Sequence, residues 1–228
     1  MSYEQNSKTL KLAAELLDDF SKDIVYVGGI TTFLYVDIDI ADDIRPTYDV
    51  DFVLESGKRK DYDLFQEQLR KKGFTHDTSP GAPICRFKYG EELIVDAMPS
   101  DESILGFSNS WYKEGIKHKE KVKVEDKEIH IFPLEYFIAS KFEAFNGRGK
   151  SEPRMSWDLE DIIFILDGIK DFNPQPTSGR LKSFLSEMCS QCLKPHIQEA
   201  IAGFLRNNDE KITKVNQRLK MFISARLV

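Results

Sequence analysis

Hydrophobic residues recur at helical spacing over residues 7–21, where Leu10, Leu12, Ala13, Leu16, Leu17 and Phe20 form a broad stripe that predicts an amphipathic helix. The short β-branched run Ile24-Val25-Tyr26-Val27 predicts a buried strand, ended by Gly28-Gly29, and Thr31–Tyr35 reads as a short helix after it. An acidic stretch carrying Asp37, Asp39, Asp42 and Asp43 occupies the region between Val36 and Arg45 and reads as an insertion or loop. Alternation returns from Tyr48 to Glu55, a second strand, and helical spacing from Lys60 to Lys72 predicts a helix stopped by Gly73. Cys85–Tyr89 and Leu93–Met98 read as strands around a turn at Gly90, and Val122–Glu125 with Ile129–Phe132 as a hairpin around Asp126-Lys127. After Pro133 the spacing becomes helical, most clearly over Glu135–Phe145 and Ser156–Leu166. Asn173-Pro174-Gln175-Pro176 then reads as a linker before two or three further helices. The fold class expected is α+β: a mixed sheet with flanking helices, followed by a helical C-terminal part. The expected division is residues 1–132 for the sheet-bearing part and 133–228 for the helical one.

Composition narrows the picture only modestly. With 41% hydrophobic and 31% charged residues over 228 positions, the chain can bury a sizeable core. A net charge of -6 argues against a surface that coats nucleic acid throughout. Three cysteines fit a reducing compartment better than a disulfide framework. The first residues have neither a basic nor an apolar leader region, and the densest apolar run, Ile162–Leu166, is too short to span a bilayer. A cytoplasmic location and no membrane partner are therefore expected.

The chemistry lies in acids placed on strands. Asp49-Val50-Asp51 puts two carboxylates on one face of a strand, with Val50 and Phe52 on the other, and Thr47 shares the acids' face. Like charges that close repel unless a cation neutralises them, and hard oxygen donors favour Mg²⁺ or Mn²⁺. A rival pair, Asp37-Ile38-Asp39, is followed by further acids instead of an apolar run and ranks second. Asp96 is flanked by apolar neighbours. A buried carboxylate needs a Lys or Arg partner or a metal, and beside an acid pair the metal or general-base reading gains weight. The Gly28-Gly29 junction lets backbone approach a phosphate, or simply makes a tight turn.

On the helices, Lys141 lies among Phe137, Ile138, Phe142, Ala144 and Phe145, where an amine needs an anionic partner or a route to water. Asp158 and Asp161 share a helix face and read as site acids, as ordinary surface charge, or as ion-pair partners for Lys141 or Arg154. Arg148 and Lys150 sit in a glycine-rich loop. The basic set Arg206, Lys211, Lys214, Arg218, Lys220 and Arg226 reads as a solvated helix face. Cys189, Cys192 and His196 have metal-like spacing without a second ligand pair, which favours ordinary thiols.

Taken in order, Val27-Gly28-Gly29, Arg45-Pro46-Thr47-Tyr48-Asp49-Val50-Asp51 and Val95-Asp96 resemble the nucleotidyltransferase superfamily related to DNA polymerase β. Pro133–Phe145 followed by Ser156–Ile162 is similar to its branch of AbiEii/AbiGii toxin-like nucleotidyltransferases. The resemblance spans Ile24 to Leu166, with the acidic stretch lengthening the usual spacing between Gly29 and Asp49.

The resemblance implies that Gly28 and Gly29 hold a triphosphate, that Asp49 and Asp51 ligate metal, and that Asp96 completes the acid set. It places Lys141 and Asp161, less firmly Asp158, at the nucleotide. The implied activity is metal-dependent transfer of NMP from an NTP to an acceptor hydroxyl. Two Mg²⁺ or Mn²⁺ ions would be held by Asp49, Asp51 and Asp96, the phosphates by the diglycine, Thr47 and Lys141. The branch implies a tRNA end as acceptor, with an antitoxin as partner of such a toxin, and the wider superfamily implies a small molecule as acceptor. The alternative is a nucleotide-binding or interaction module of the same fold without turnover.

Overall fold

The computed structural model describes residues 2–37 and 44–227. The rival acid Asp39, with Asp42 and Asp43, lies outside them. Residue contacts divide the chain into two units, Met1–Leu34 with Arg45–Pro133, and Tyr35–Ile44 with Leu134–Val228.

The first unit is built on a seven-stranded mixed sheet in the order β3-β4-β5-β2-β1-β7-β6. Its strands are β1 (Ile24–Val27), β2 (Asp49–Leu54), β3 (Thr75–His76), β4 (Arg86–Tyr89), β5 (Leu93–Pro99), β6 (Glu120–Val124) and β7 (Lys127–Ile131). The centre is apolar on both faces away from the acids: all of β1 is buried, as are Val50, Phe52 and Val53 of β2. β1 and β2 run antiparallel, with Val27 opposite Asp51, while β2 and β5 run parallel, with Asp51 opposite Asp96.

Helix α1 (Ser2–Leu16) starts and stops earlier than the apolar stripe predicts. Its first turns carry Asn6 and Ser7, polar yet buried, which the hydrophobic pattern passes over. The end of the stripe, Phe20, sits on a separate 3₁₀ turn, Asp18–Phe20. Helix α2 (Arg59–Lys71) follows β2 and ends ahead of Gly73, whose φ of 95° is the left-handed conformation that suits glycine. It packs its apolar stripe on the sheet: Phe65 meets Phe52 and Phe20 edge-on, and the Tyr62 hydroxyl donates to the Ala97 carbonyl at 2.8 Å. That buried position drives the Tyr62 phenol well above its ordinary value, the loss of hydration being the main cause.

Two short helices were not legible in the sequence, α3 (Glu102–Leu105) and α4 (Tyr112–Lys117), because neither is long enough to show a period. The first is fixed by its cap: the Asp101 carboxylate accepts from the Ser103 amide at 2.9 Å. The hairpin of β6 and β7 pairs Val124 with Lys127, so its two-residue turn is Glu125-Asp126, one position earlier than the pattern gave. Glu125 supplies the positive φ, 53°.

The second unit is helical: α5 (Leu134–Ala144), α6 (Trp157–Gly168), α7 (Gly179–Cys192), α8 (Pro195–Phe204) and α9 (Asp209–Ser224). A π-helical turn, Phe145–Gly149, joins α5 to the segment before α6. Ser156 caps α6, accepting from the Leu159 amide, and Arg218 of α9 closes its other end by donating to the carbonyls of Leu166, Asp167 and Ile169. A guanidinium there satisfies the orphan carbonyls and complements the helix dipole. Lys211 and Lys214 bind the buried carboxylate of Asp167 at 3.1 and 2.6 Å. Half of the basic C-terminal set thus serves internal packing. Among the described residues no helix is long and apolar enough to cross a membrane.

Candidate metal and nucleotide site

The strand register assembles the acids. Arg86 stands opposite Asp96 on β4 and β5, Asp96 opposite Asp51 on β5 and β2, and Asp51 opposite Val27 on β2 and β1. Residues paired across adjacent strands point to the same face. Asp49, two positions from Asp51, joins them. The carboxylates of Asp49, Asp51 and Asp96 each offer an oxygen within 4.8 Å of the others, the only such group of three or more metal-binding side chains among the described residues.

Three carboxylates are a hard oxygen donor set that fits Mg²⁺ or Mn²⁺ and disfavours softer metals. The alternation that predicted a common face for Asp49 and Asp51 appears directly as burial, half-buried acids alternating with fully buried Val50 and Phe52.

Gly28 makes room for this group. Its φ is 78°, and a Cβ built there would lie 1.9 Å from Asp51 Oδ2 and 2.8 Å from Asp51 Cβ. The carboxylate of Asp51 therefore rests against the bare Cα of Gly28, a contact no side-chain-bearing residue permits. Gly29 begins a buried 3₁₀ helix, Gly29–Tyr35, in which the Thr31 hydroxyl donates to the Gly28 carbonyl at 3.0 Å.

On the other approach to β2, the Asn6 side chain clamps the chain just ahead of the acids. Its Oδ1 accepts from the Thr47 amide at 3.0 Å and its Nδ2 donates to the Arg45 carbonyl at 3.3 Å. Thr47 itself is buried, and its hydroxyl has no hydrogen-bond partner among the described residues. A buried hydroxyl in that state is costly by about 1–3 kcal/mol and is the kind of group a ligand or water satisfies.

Arg86 was not singled out by the sequence. Its Nε donates to Asp96 Oδ1 at 2.8 Å and its Nη2 to Asp96 Oδ2 at 2.7 Å, a two-pronged fork. The same Nη2 reaches Asp49 Oδ2 at 2.8 Å. The hydrogen bonds it donates to the Asp96 carboxylate push the guanidinium's pKa higher still. The hairpin itself carried the signal: once Tyr89 is set opposite Leu93 across the turn at Gly90, Arg86 must fall opposite Asp96.

Lys141 and Asp161 belong to the second unit, where Lys141 Nζ lies 2.7 Å from Asp161 Oδ2 and 3.3 Å from Asp158 Oδ1. Lys141, Asp158 and Asp161 are each less than one-tenth exposed, so the amine is ion-paired in the interior and does not reach out to water. Arg148 completes the cluster with two bonds to Asp158 at 2.8 and 3.0 Å. Burial alone would raise the Asp158 carboxyl, but Arg148 and Lys141 outweigh it and hold it below its ordinary value. Arg154, the other partner the sequence offered, pairs instead with Glu199. Cys189 and Cys192 are fully buried while His196 is exposed, so these three form no metal site. Burial pushes the Cys192 thiol up to about 12.

The seven-stranded mixed sheet with flanking helices is an α+β fold, and its likeness to a solved structure makes it nucleotidyltransferase-like. An antigenic nucleotidyltransferase-like protein from Paracoccidioides brasiliensis has a similar solved structure, with a TM-score of 0.52 and 19% sequence identity over 90% of this chain and 98% of that one. At that identity the likeness speaks for the fold. No family model and no curated protein matches the sequence.

Proposed function

We propose that this chain is a metal-dependent nucleotidyltransferase that moves an NMP from an NTP to an acceptor hydroxyl. The observation that carries the reading is the convergence of Asp49, Asp51 and Asp96 from adjacent strands within 4.8 Å on a nucleotidyltransferase-like fold. Asp49 and Asp51 would hold Mg²⁺ or Mn²⁺, with Asp96 completing the acid set. The chemistry such an ion supplies when bound is charge neutralisation at the phosphates and acidification of a hydroxyl.

The residues' own share is positioning. Gly28 and Gly29 bring backbone close to the triphosphate, and the Thr47 hydroxyl supplies a donor. Asp96 orients or deprotonates the acceptor hydroxyl as that oxygen bonds to the α-phosphorus and pyrophosphate leaves. The resemblance to the AbiEii/AbiGii toxin-like branch would set Lys141 and Asp161 at the phosphates; in this chain the amine is ion-paired in the interior of the second unit and is given no step. Within that branch the acceptor would be a tRNA end and the partner an antitoxin, within the wider superfamily a small molecule; the location would be cytoplasmic.

One observation favours a second reading, a nucleotide-binding module without turnover: Arg86 already bridges Asp49 and Asp96. The two readings part in one experiment. Incubation with each α-labelled NTP, Mg²⁺ and either total tRNA or a pool of hydroxylated small molecules should move label onto an acceptor. Metal-dependent nucleotide binding with no transferred label to any acceptor would favour the module.

A further inference from the structure

Arg86 is a cation already present among the acids, and its placement constrains what else can bind. It engages both oxygens of Asp96 in a fork and touches Asp49 only through the Nη2 that it also gives to Asp96. The fork is set by backbone register, Arg86 lying directly opposite Asp96 in the β4–β5 hairpin, and the Asp96 side chain is only 11% exposed. The Asp49 contact is the one that can be released without breaking the fork, since Asp49 is the more exposed acid, at 35%. Among the described residues, the three carboxylates and the guanidinium of Arg86 leave two negative charges, the complement of one divalent cation. A second divalent ion, before a nucleotide brings its own charge, would make the site net positive in a half-buried position.

Resting on the proposed metal site, we infer that Arg86 stands in for a second metal ion. In the nucleotide-free protein, Asp49 and Asp51 take one divalent cation, while Asp96 stays committed to Arg86. Binding of the ion displaces Arg86 from Asp49 alone. Arg86 thereby keeps Asp96 fixed in orientation as a positioning residue and limits the site to a single ion until substrate arrives.

The test is Mn²⁺ titration of the nucleotide-free full chain, followed by electron paramagnetic resonance of free Mn²⁺. The wild type is expected to bind one ion per chain. Arg86→Gln, which removes the charge and keeps a polar side chain, should bind a second ion or hold the first at least about tenfold more tightly. Arg86→Lys should behave as the wild type does in stoichiometry. Two ions in the wild type, or one ion bound with unchanged affinity in Arg86→Gln, would overturn the inference while leaving the metal site standing. No Mn²⁺ in any variant would remove the metal site itself, and the inference with it.

A second measurement needs no variant. The Arg86 Nε–H proton, held on Asp96, should keep its slowed solvent exchange in NMR when Mg²⁺ is added. Its exchange rising to that of an exposed arginine would mean that the ion takes Asp96, against the inference.

Discussion

Replacing Gly28 with alanine tests whether the diglycine is there for the acid as well as for any ligand. The new Cβ would sit 1.9 Å from Asp51 Oδ2, 2.7 Å from its Cγ and 2.8 Å from its Cβ, on a residue whose φ is 78°. The left-handed backbone costs a β-carbon-bearing residue about 1–2 kcal/mol. Turning the Asp51 carboxylate away adds about 0.5–1.5 kcal/mol if it leaves its rotamer. Rotation cannot relieve the contact with Asp51 Cβ, which is fixed to the strand, so β2 must also yield. A total loss near 2–4 kcal/mol follows. It should appear as a lower urea midpoint at unchanged slope, together with weakened Mn²⁺ binding. Asp51→Gly removes every atom of the clash, so the double variant Gly28→Ala/Asp51→Gly should lose at least about 1 kcal/mol less than the two single losses added. Strict additivity, or a Gly28→Ala protein that binds Mn²⁺ as the wild type does, would refute the packing argument.

Three further outcomes can be checked in the same way. Lys141→Met removes the ammonium that buried Asp161 and Asp158 face, and should cost about 3–5 kcal/mol by denaturant unfolding, partly restored by adding Asp161→Asn. Asp158 has its folded pKa depressed, so its contribution is complete above the unfolded carboxyl value of about 4 and is lost as pH falls through the lower folded value. Asp158→Asn should therefore destabilise at neutral pH and flatten the acid limb of the stability curve. Asn6→Ala frees the Thr47 amide and the Arg45 carbonyl, and is expected to lose about 1–3 kcal/mol and to weaken Mn²⁺ binding, both read from titrations with and without the metal.

The parts of the site that follow a local period were readable in the sequence. Asp49 and Asp51 share a face because strands alternate, and Asp158 and Asp161 share one because they are three apart on a helix. Lys141 among aromatics needed an anion, and two are there. The parts that depend on distant pairing were hidden. Nothing local sets Asp51 beside Asp96, since parallel pairing of β2 with β5 skips over α2, β3 and β4. Asn6 was invisible because a buried polar residue interrupts the apolar stripe that reveals a helix, and its partners lie at Arg45 and Thr47. Arg148 was read as a loop cation because the π-helical turn that aims it at Asp158 has no periodic signature. Arg86 was the avoidable omission, one step of hairpin counting away from Asp96.

Metal-dependent chemistry at the strand acids would show itself as pyrophosphate release. With Mg²⁺, each of the four common NTPs in turn and an acceptor pool of total tRNA, the wild-type chain should release pyrophosphate from at least one NTP. Asp49→Ala/Asp51→Ala should abolish release, and Asp37→Ala/Asp39→Ala should leave it intact. Release that survives loss of Asp49 and Asp51, or a wild type that binds neither metal nor nucleotide, would contradict the account.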